Sequence, residues 1–194
     1  MLSLRGVFVN ASGTFFSRIL GLFKNIFVNF YFGLADTFWG AFQIINTFRI
    51  FVGEGAINNI LIPLYKKIKE ESPSSVKPFL VKSFVFVFAL SSTLSLGLYL
   101  TAYPLAKAIL PGFRESKVLE SANSIMIMSL SVVLISTQSF LASIRIAKYG
   151  SFFSFAYAPV VANVLTIATI LLLNHLGIYI LSWAVVVGTL GMLL

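Results

Sequence analysis

Two stretches of this chain, residues 83–106 and 121–144, contain no charged side chain at all. Each is long enough to cross a hydrocarbon core of about 30 Å as an α-helix. A third stretch, residues 149–194, is uncharged apart from the titratable His175, and Asn174-His175-Leu176-Gly177 interrupts it near the middle. Polar and turn-forming residues at that point divide it into two spans. A chain of 194 residues would ordinarily be one soluble domain. Here 58% hydrophobic residues, only 10% charged residues and a mean hydropathy of +0.96 make the bilayer the fitting solvent.

The pattern predicts an all-α, polytopic membrane protein with six helices, at residues 6–32, 37–64, 79–103, 119–144, 152–173 and 178–194. The runs lack the period-2 alternation of a barrel, and they are about twice the ~10-residue length of barrel strands. The first apolar stretch has no small-residue cleavage site and runs into Arg18 and Lys24, so it is expected to remain as the first span. Pro73, Ser74, Ser75 and Pro78 mark a loop between spans two and three, and Leu110-Pro111-Gly112-Phe113 marks a turn on the other side. Pro159 falls inside span five, where its missing amide donor predicts a kink that neighbouring helices can accommodate.

Orientation follows from the cations. Arg5 precedes span one, Lys66, Lys67, Lys69, Lys77 and Lys82 surround the second-to-third connection, and Arg145 and Lys148 join spans four and five. The opposite connections carry only Lys107, Arg114 and Lys117, set against Glu115 and Glu120, or no cation. The positive-inside rule therefore places both termini in the cytoplasm. The formal charge of +8 forms no dense basic stripe and accompanies no aromatic-rich soluble module, so nucleic acid is not an expected partner. Absence of cysteine excludes disulfides and thiolate metal sites.

Spans one and two depart from this apolar background. At 100° per residue, Asn10, Thr14, Arg18, Gly21, Asn25 and Asn29 project onto one face of span one, with Ser17 and Lys24 at its edge. Gln43, Asn46, Arg49, Gly53, Glu54 and Asn58 fall within about half the circumference of span two, and Asp36 stands at its outer end. A cation facing lipid costs at least ~2.5–3.5 kcal/mol on insertion scales, so Arg18, Lys24 and Arg49 are expected to face a bundle interior or a wet cavity. Gly13, Ser17 and Gly21 repeat every four residues, a small-residue ridge that admits another helix closely.

A buried ion-pair network of Arg18, Lys24, Arg49 and Glu54 that only fixes packing is the competing reading. Three cations against one buried acid leave positive charge over, and a cavity with that surplus suits an anionic substrate. Arginine grips a phosphate through two parallel donors where lysine acts as a point charge, which makes Arg18 and Arg49 the stronger candidates for phosphate or pyrophosphate contact. His175, Trp39 and Trp183 read as interfacial or packing residues, and Arg145 and Lys148 as topology determinants that meet anionic headgroups. Catalysis is not expected: there is no paired-carboxylate motif, no metal-ligand cluster, no cofactor motif, and one histidine without a nucleophile partner. Gly53-Glu54-Gly55 lacks the lysine and hydroxyl of a phosphate loop.

The run Phe16-Ser17-Arg18-Ile19-Leu20-Gly21, then Phe32-Gly33, then Asn46 with Arg49 and Phe51-Val52-Gly53-Glu54-Gly55-Ala56, resembles the MurJ/MviN family of lipid II flippases. Ile62-Pro63, Pro111-Gly112-Phe113, Ala156-Tyr157-Ala158-Pro159 with Asn163, and Ser182-Trp183-Ala184-Val185 extend the likeness over essentially the whole chain.

The resemblance implies a bacterial inner-membrane transporter of the multidrug/oligosaccharidyl-lipid/polysaccharide exporter superfamily, which moves the lipid-linked peptidoglycan precursor to the outer leaflet without making or breaking a bond. It implies fourteen helices in two six-helix lobes plus a C-terminal pair, of which this chain resembles the N-terminal lobe. The second lobe is then an expected partner, alongside lipid II and membrane lipids. By the same likeness Arg18, Lys24 and Arg49 are expected at the substrate, Asn25 and Asn46 beside them in the cavity, and Asp36 and Glu54 as charge-balancing or gating acids. Lys24-Asn25 stands where members often have arginine and aspartate, Ile45 where a proline is frequent, and Ile50 where a second arginine is frequent. A flippase for another polyprenyl-diphosphate-linked glycan and a non-transporting membrane scaffold subunit are the alternatives.

Overall fold

A computed structural model describes residues 4–33, 35–50 and 57–193. Among them the chain is all-α, with no strand and eight α-helices: α1 (Leu4–Phe32), α2 (Asp36–Arg49), α3 (Ile57–Glu71), α4 (Val76–Leu100), α5 (Ala102–Ile109), α6 (Glu115–Tyr149), α7 (Phe153–Leu173) and α8 (Tyr179–Gly191). Four helical segments are long and apolar enough to cross a membrane: Gly6–Phe32, Pro73–Leu100, Glu115–Tyr149 and Phe153–Leu176. The shorter α8 is predominantly apolar, with Ser182 and Thr189 as buried polar exceptions.

Eight helices stand where six spans were expected, and the differences are local. The predicted second span is represented by α2 and α3 on either side of residues 51–56, so Gly53, Glu54 and Gly55 lie outside the described residues. α3 also continues past residue 64 to Glu71, carrying Lys66, Lys67 and Lys69 on a helical extension rather than a loop, with Lys67 and Glu71 paired across one turn at 3.9 Å. Span three gives way at Thr101, whose hydroxyl turns back to the Gly97 carbonyl at 2.7 Å, and the chain restarts as the short α5. α6 outruns its predicted span at both ends; its 35 residues make a rod of about 50 Å. It stops at Gly150, which takes φ +65°, a left-handed C-cap that side-chain-bearing residues resist.

α6 is the axis of the bundle: α2, α3, α4, α5 and α8 all pack against it. The core gathers around its middle, where Ile125, Met128 and Val132 meet Phe38, Ala41 and Ile45 of α2 and Leu181 and Val185 of α8. α1 is held differently. It packs chiefly on α7, through small and polar residues. A Cβ on Gly13 would lie 2.5 Å from the Ala156 carbonyl oxygen, Ser12 and Tyr157 share a 3.0 Å hydrogen bond, and Asn163 Nδ2 donates to the Ser17 carbonyl at 3.0 Å. The expected ridge is therefore real at Gly13 and Ser17 and stops there, since nothing lies within 4 Å of a Cβ on Gly21. The same device joins α7 to α8, where Thr166 Oγ1 bonds the Ala184 carbonyl at 3.1 Å and Gly188 leaves no room for a side chain.

The rest of α1 is left uncovered by the described residues. Phe8, Phe15, Leu22 and Phe30 are largely exposed, as lipid-facing aromatic and aliphatic groups are. The polar stripe of the same helix turns elsewhere, and where it turns defines the site.

Candidate functional site

A cavity of about 480 Å³ opens where α1, α2, α6 and α7 converge. α1 contributes Asn10, Thr14, Ser17 and Arg18, and α2 contributes Arg49. Gln138 and Ser139 of α6 line the facing wall, and Phe155, Ala156 and Pro159 of α7 complete it. Pro159 has no N–H to give back to residue 155, so a backbone acceptor is released from the helical ladder beside the cavity. Thus the one-face projection of Asn10, Thr14 and Arg18 corresponds to a real surface, and Arg18 and Arg49, 31 positions apart in sequence, line one chamber.

A second, smaller cavity of about 50 Å³ adjoins the first, with Arg49, Ile135 and Met192 lining both. Its polar lining is Lys24, Asn46, Arg49, Asn163, Thr166 and Thr189. A space of that size holds water-sized groups and not a sugar. Lys24 is 9% exposed, and its ammonium sits over the Phe42 ring, 4.5 Å from the centroid. Phe42 is in turn braced by Phe38 and Trp39, with ring centroids 5.7 and 5.9 Å away, so Trp39 acts as a packing residue.

The two cavities carry three cations, Arg18, Lys24 and Arg49, and no carboxylate among the described lining residues. The described lining is therefore positive, with planar guanidinium donors in the larger cavity and a compact ammonium in the smaller. Burying the Lys24 ammonium costs solvation, which gives a stability test: Lys24→Met keeps the contact with Phe42, removes the buried cation, and is expected to raise the melting temperature of the purified protein. A clear fall in that temperature would assign Lys24 to the fold instead.

The remaining predicted residues fall as follows. Asn46 lines the smaller cavity. Asn25 is exposed on α1 and lines neither cavity. Asp36 is exposed as the first residue of α2, beside Thr37, whose hydroxyl donates to Glu120 of α6. Glu54 lies outside the described residues. His175 is exposed in a short 3-10 turn between α7 and α8.

Sequence reasoning missed the polar contribution of α6. Spans three to six read as clean because α6 carries no charge between residues 121 and 144, yet that interval buries Ser121, Ser124, Ser131, Ser136, Gln138, Ser139 and Ser143. Ser131 accepts from Thr189 of α8 at 3.2 Å, and Ser143 donates to Asn58 of α3. Gln138 and Ser139 reach the larger cavity. The signal was available: serines at 121, 124, 131, 139 and 143 recur near helical spacing, an uncharged polar stripe of the kind that holds membrane helices together.

Comparison with known proteins gives one consistent likeness. The family model described as "Lipid II flippase MurJ" matches residues 28–194. The probable lipid II flippase MurJ of Aquifex aeolicus (strain VF5) is 31% identical over 91% of this chain, and the match covers 36% of that relative. The lipid II flippase MurJ of Burkholderia cenocepacia (strain J2315, among its designations) is 28% identical over 90% of this chain and 36% of its own length. A solved structure titled "Lipid II flippase MurJ, inward closed conformation" superposes with a TM-score of 0.75 at 27% identity, covering 95% of this chain and 40% of that one. The chain thus spans a little over a third of the length of the curated relatives it matches.

Proposed function

This chain belongs to the lipid II flippase MurJ family, and on that premise we propose that its protein moves lipid II from the inner to the outer leaflet of the bacterial cytoplasmic membrane, for cell-wall synthesis. The observation that carries the reading is the shared chamber of Arg18 and Arg49, with Lys24 behind it and no carboxylate among the described lining residues. A pyrophosphate linked to a polyprenyl chain brings negative charge into a place where water is scarce. Two arginine forks and an ammonium offset that charge through charge-assisted hydrogen bonds.

In this reading the six-span unit is one lobe, and a second lobe beyond these residues closes the chamber from the other side. Arg18, Lys24 and Arg49 hold the headgroup; Asn46 orients it, and Asn25 meets it from the part of α1 that the described residues leave open. Asp36 and Glu54 balance the cations when no substrate is present or latch one closed state. Rocking of the lobes then exposes the chamber to each side in turn, a general solution for transporters built from repeated halves. No step makes or breaks a covalent bond. Both termini of the lobe lie in the cytoplasm, which puts the lysine-rich end of α3 at the inner surface.

The test is a flipping assay with the full-length protein in liposomes, comparing lipid II with a polyprenyl-diphosphate glycan of unrelated sugar composition. Preferential transport of lipid II is the expected result. Equal transport of both would widen the substrate class to polyprenyl-diphosphate glycans in general, and transport of neither would leave a scaffold.

A further inference from the structure

A groove of about 870 Å³ runs between α4, α6 and α8. Its walls are Leu96 and Tyr99 of α4, Leu130 and Val133 of α6, and Tyr179 and Trp183 of α8. No charged residue lines it, and Leu96, Leu130 and Trp183 are about half exposed, at 58%, 49% and 50%. The described lining of the chamber above is cationic and polar; this groove is uncharged and mostly apolar, and the flippase reading makes no use of it.

Two features define what it holds. The first is its polarity gradient. Hydrogen-bonding groups gather at one end, where Asn123 Nδ2 donates to Tyr179 Oη at 3.2 Å with Tyr99 on the same rim, so the Tyr179 hydroxyl proton and the Asn123 carbonyl oxygen remain to be used. Further in, the Ser95 hydroxyl is committed to the Ser129 carbonyl at 2.9 Å and the Ser129 hydroxyl to the Met126 carbonyl at 2.8 Å. The second is its length. From Asn123 to Val133 the wall rises about 15 Å, half of a ~30 Å hydrocarbon core. A transmembrane helix from another segment or a second copy would need a track across the whole core. A groove one leaflet long, with a neutral polar mouth at the membrane surface and hydrocarbon walls below, matches one acyl chain of a glycerolipid.

We propose that this groove is a resident-lipid site: a phospholipid of the leaflet next to the α4–α6 connection lays an acyl chain between Leu96, Leu130 and Trp183, and its ester carbonyl accepts from the Tyr179 hydroxyl. The ester is the group that fits the mouth because it is an uncharged acceptor, whereas a phosphate would meet no cation there. The lipid is a structural occupant and not cargo, so the site stands or falls apart from the flippase reading. With the topology proposed above, this is the outer leaflet.

The experiment places the full-length protein in nanodiscs of phosphatidylethanolamine and phosphatidylglycerol with a trace of phospholipid bearing a diazirine in mid-chain. After photolysis, adducts are mapped by mass spectrometry. Labelling is expected to concentrate several-fold on Leu96, Leu130 and Trp183 relative to Phe86 and Leu172, which are 67% and 73% exposed on apolar faces elsewhere. Leu130→Trp, which fills the middle of the groove, should remove most groove adducts while leaving those at Phe86. Leu96→Trp does the same from the opposite wall and serves if the first variant does not fold. Uniform labelling of all exposed apolar residues, groove labelling that survives both tryptophans, or a groove shielded from lipid by another protein segment would each overturn the proposal.

Discussion

Arg49→Ala in the full-length protein is expected to abolish lipid II translocation while leaving membrane insertion and the folded yield near wild type. Arg49 is the charged residue among the described ones that lines both the larger and the smaller cavity, so its loss removes a cation from both. Truncating one partner of a desolvated, hydrogen-bonded charge pair costs about 2–5 kcal/mol, which corresponds to a loss of at least about thirtyfold in the affinity for the headgroup. Arg18→Ala should behave alike, since Arg18 is the second guanidinium of the larger chamber. The Arg→Lys versions keep the charge but lose the planar fork, and intermediate rates are expected from them. Flipping in proteoliposomes, together with rescue of growth in cells depleted of their own flippase, measures the effect. If both alanine variants translocate at the wild-type rate, the chamber is not the headgroup site.

Gly13→Leu should produce the second large effect, on stability rather than on binding. Any side chain at residue 13 meets the Ala156 carbonyl oxygen at 2.5 Å and the Ala156 Cβ at 2.8 Å, so the two backbones must separate. Forcing extra methylenes into a close contact costs about 1–3 kcal/mol where neighbours can adjust, and here the neighbour is backbone. Separation also weakens the Ser12–Tyr157 and Asn163–Ser17 bonds that flank the contact. Gly21→Leu is the matched control, because nothing lies within 4 Å of its Cβ. A sharp drop in the melting temperature of the purified protein for the first variant and none for the second is the expected pattern; equal behaviour of the two would remove the α1–α7 seam from the account.

The parts of this architecture that were legible in the sequence are those written in charge and hydropathy. Uncharged runs of membrane-spanning length gave α4, α6 and α7, and the need to shelter Arg18 and Arg49 from lipid anticipated a shared chamber. Helical projection also placed Asn10 and Thr14 on the correct side of α1. Other features depended on which helix meets which, and a one-dimensional pattern carries no such information. Lys24 read as a point charge at the edge of the face that carries Arg18, yet it is buried against an aromatic cluster in the small cavity. Asn25 looked equivalent to Asn46, yet only Asn46 lines a cavity. The serines of α6 escaped because hydroxyls lower hydropathy little, although the Ser131 and Ser143 hydroxyls bond across the bundle. The break at Thr101 arises from a side chain competing with its own backbone, which composition does not register.

The pairing of α1 with α7 has a consequence for biogenesis. The Ser12–Tyr157 bond joins positions 145 residues apart, so a ribosome working at about 5–20 residues per second needs roughly 7–30 s to deliver the partner after the first helix has been made. During that interval the nascent first helix, bearing Arg18 and Lys24, has no α7 to lean on. It must wait beside the translocation machinery or drift in lipid with its cations reaching for the headgroups, which makes the integration of α1 sensitive to the pace of translation.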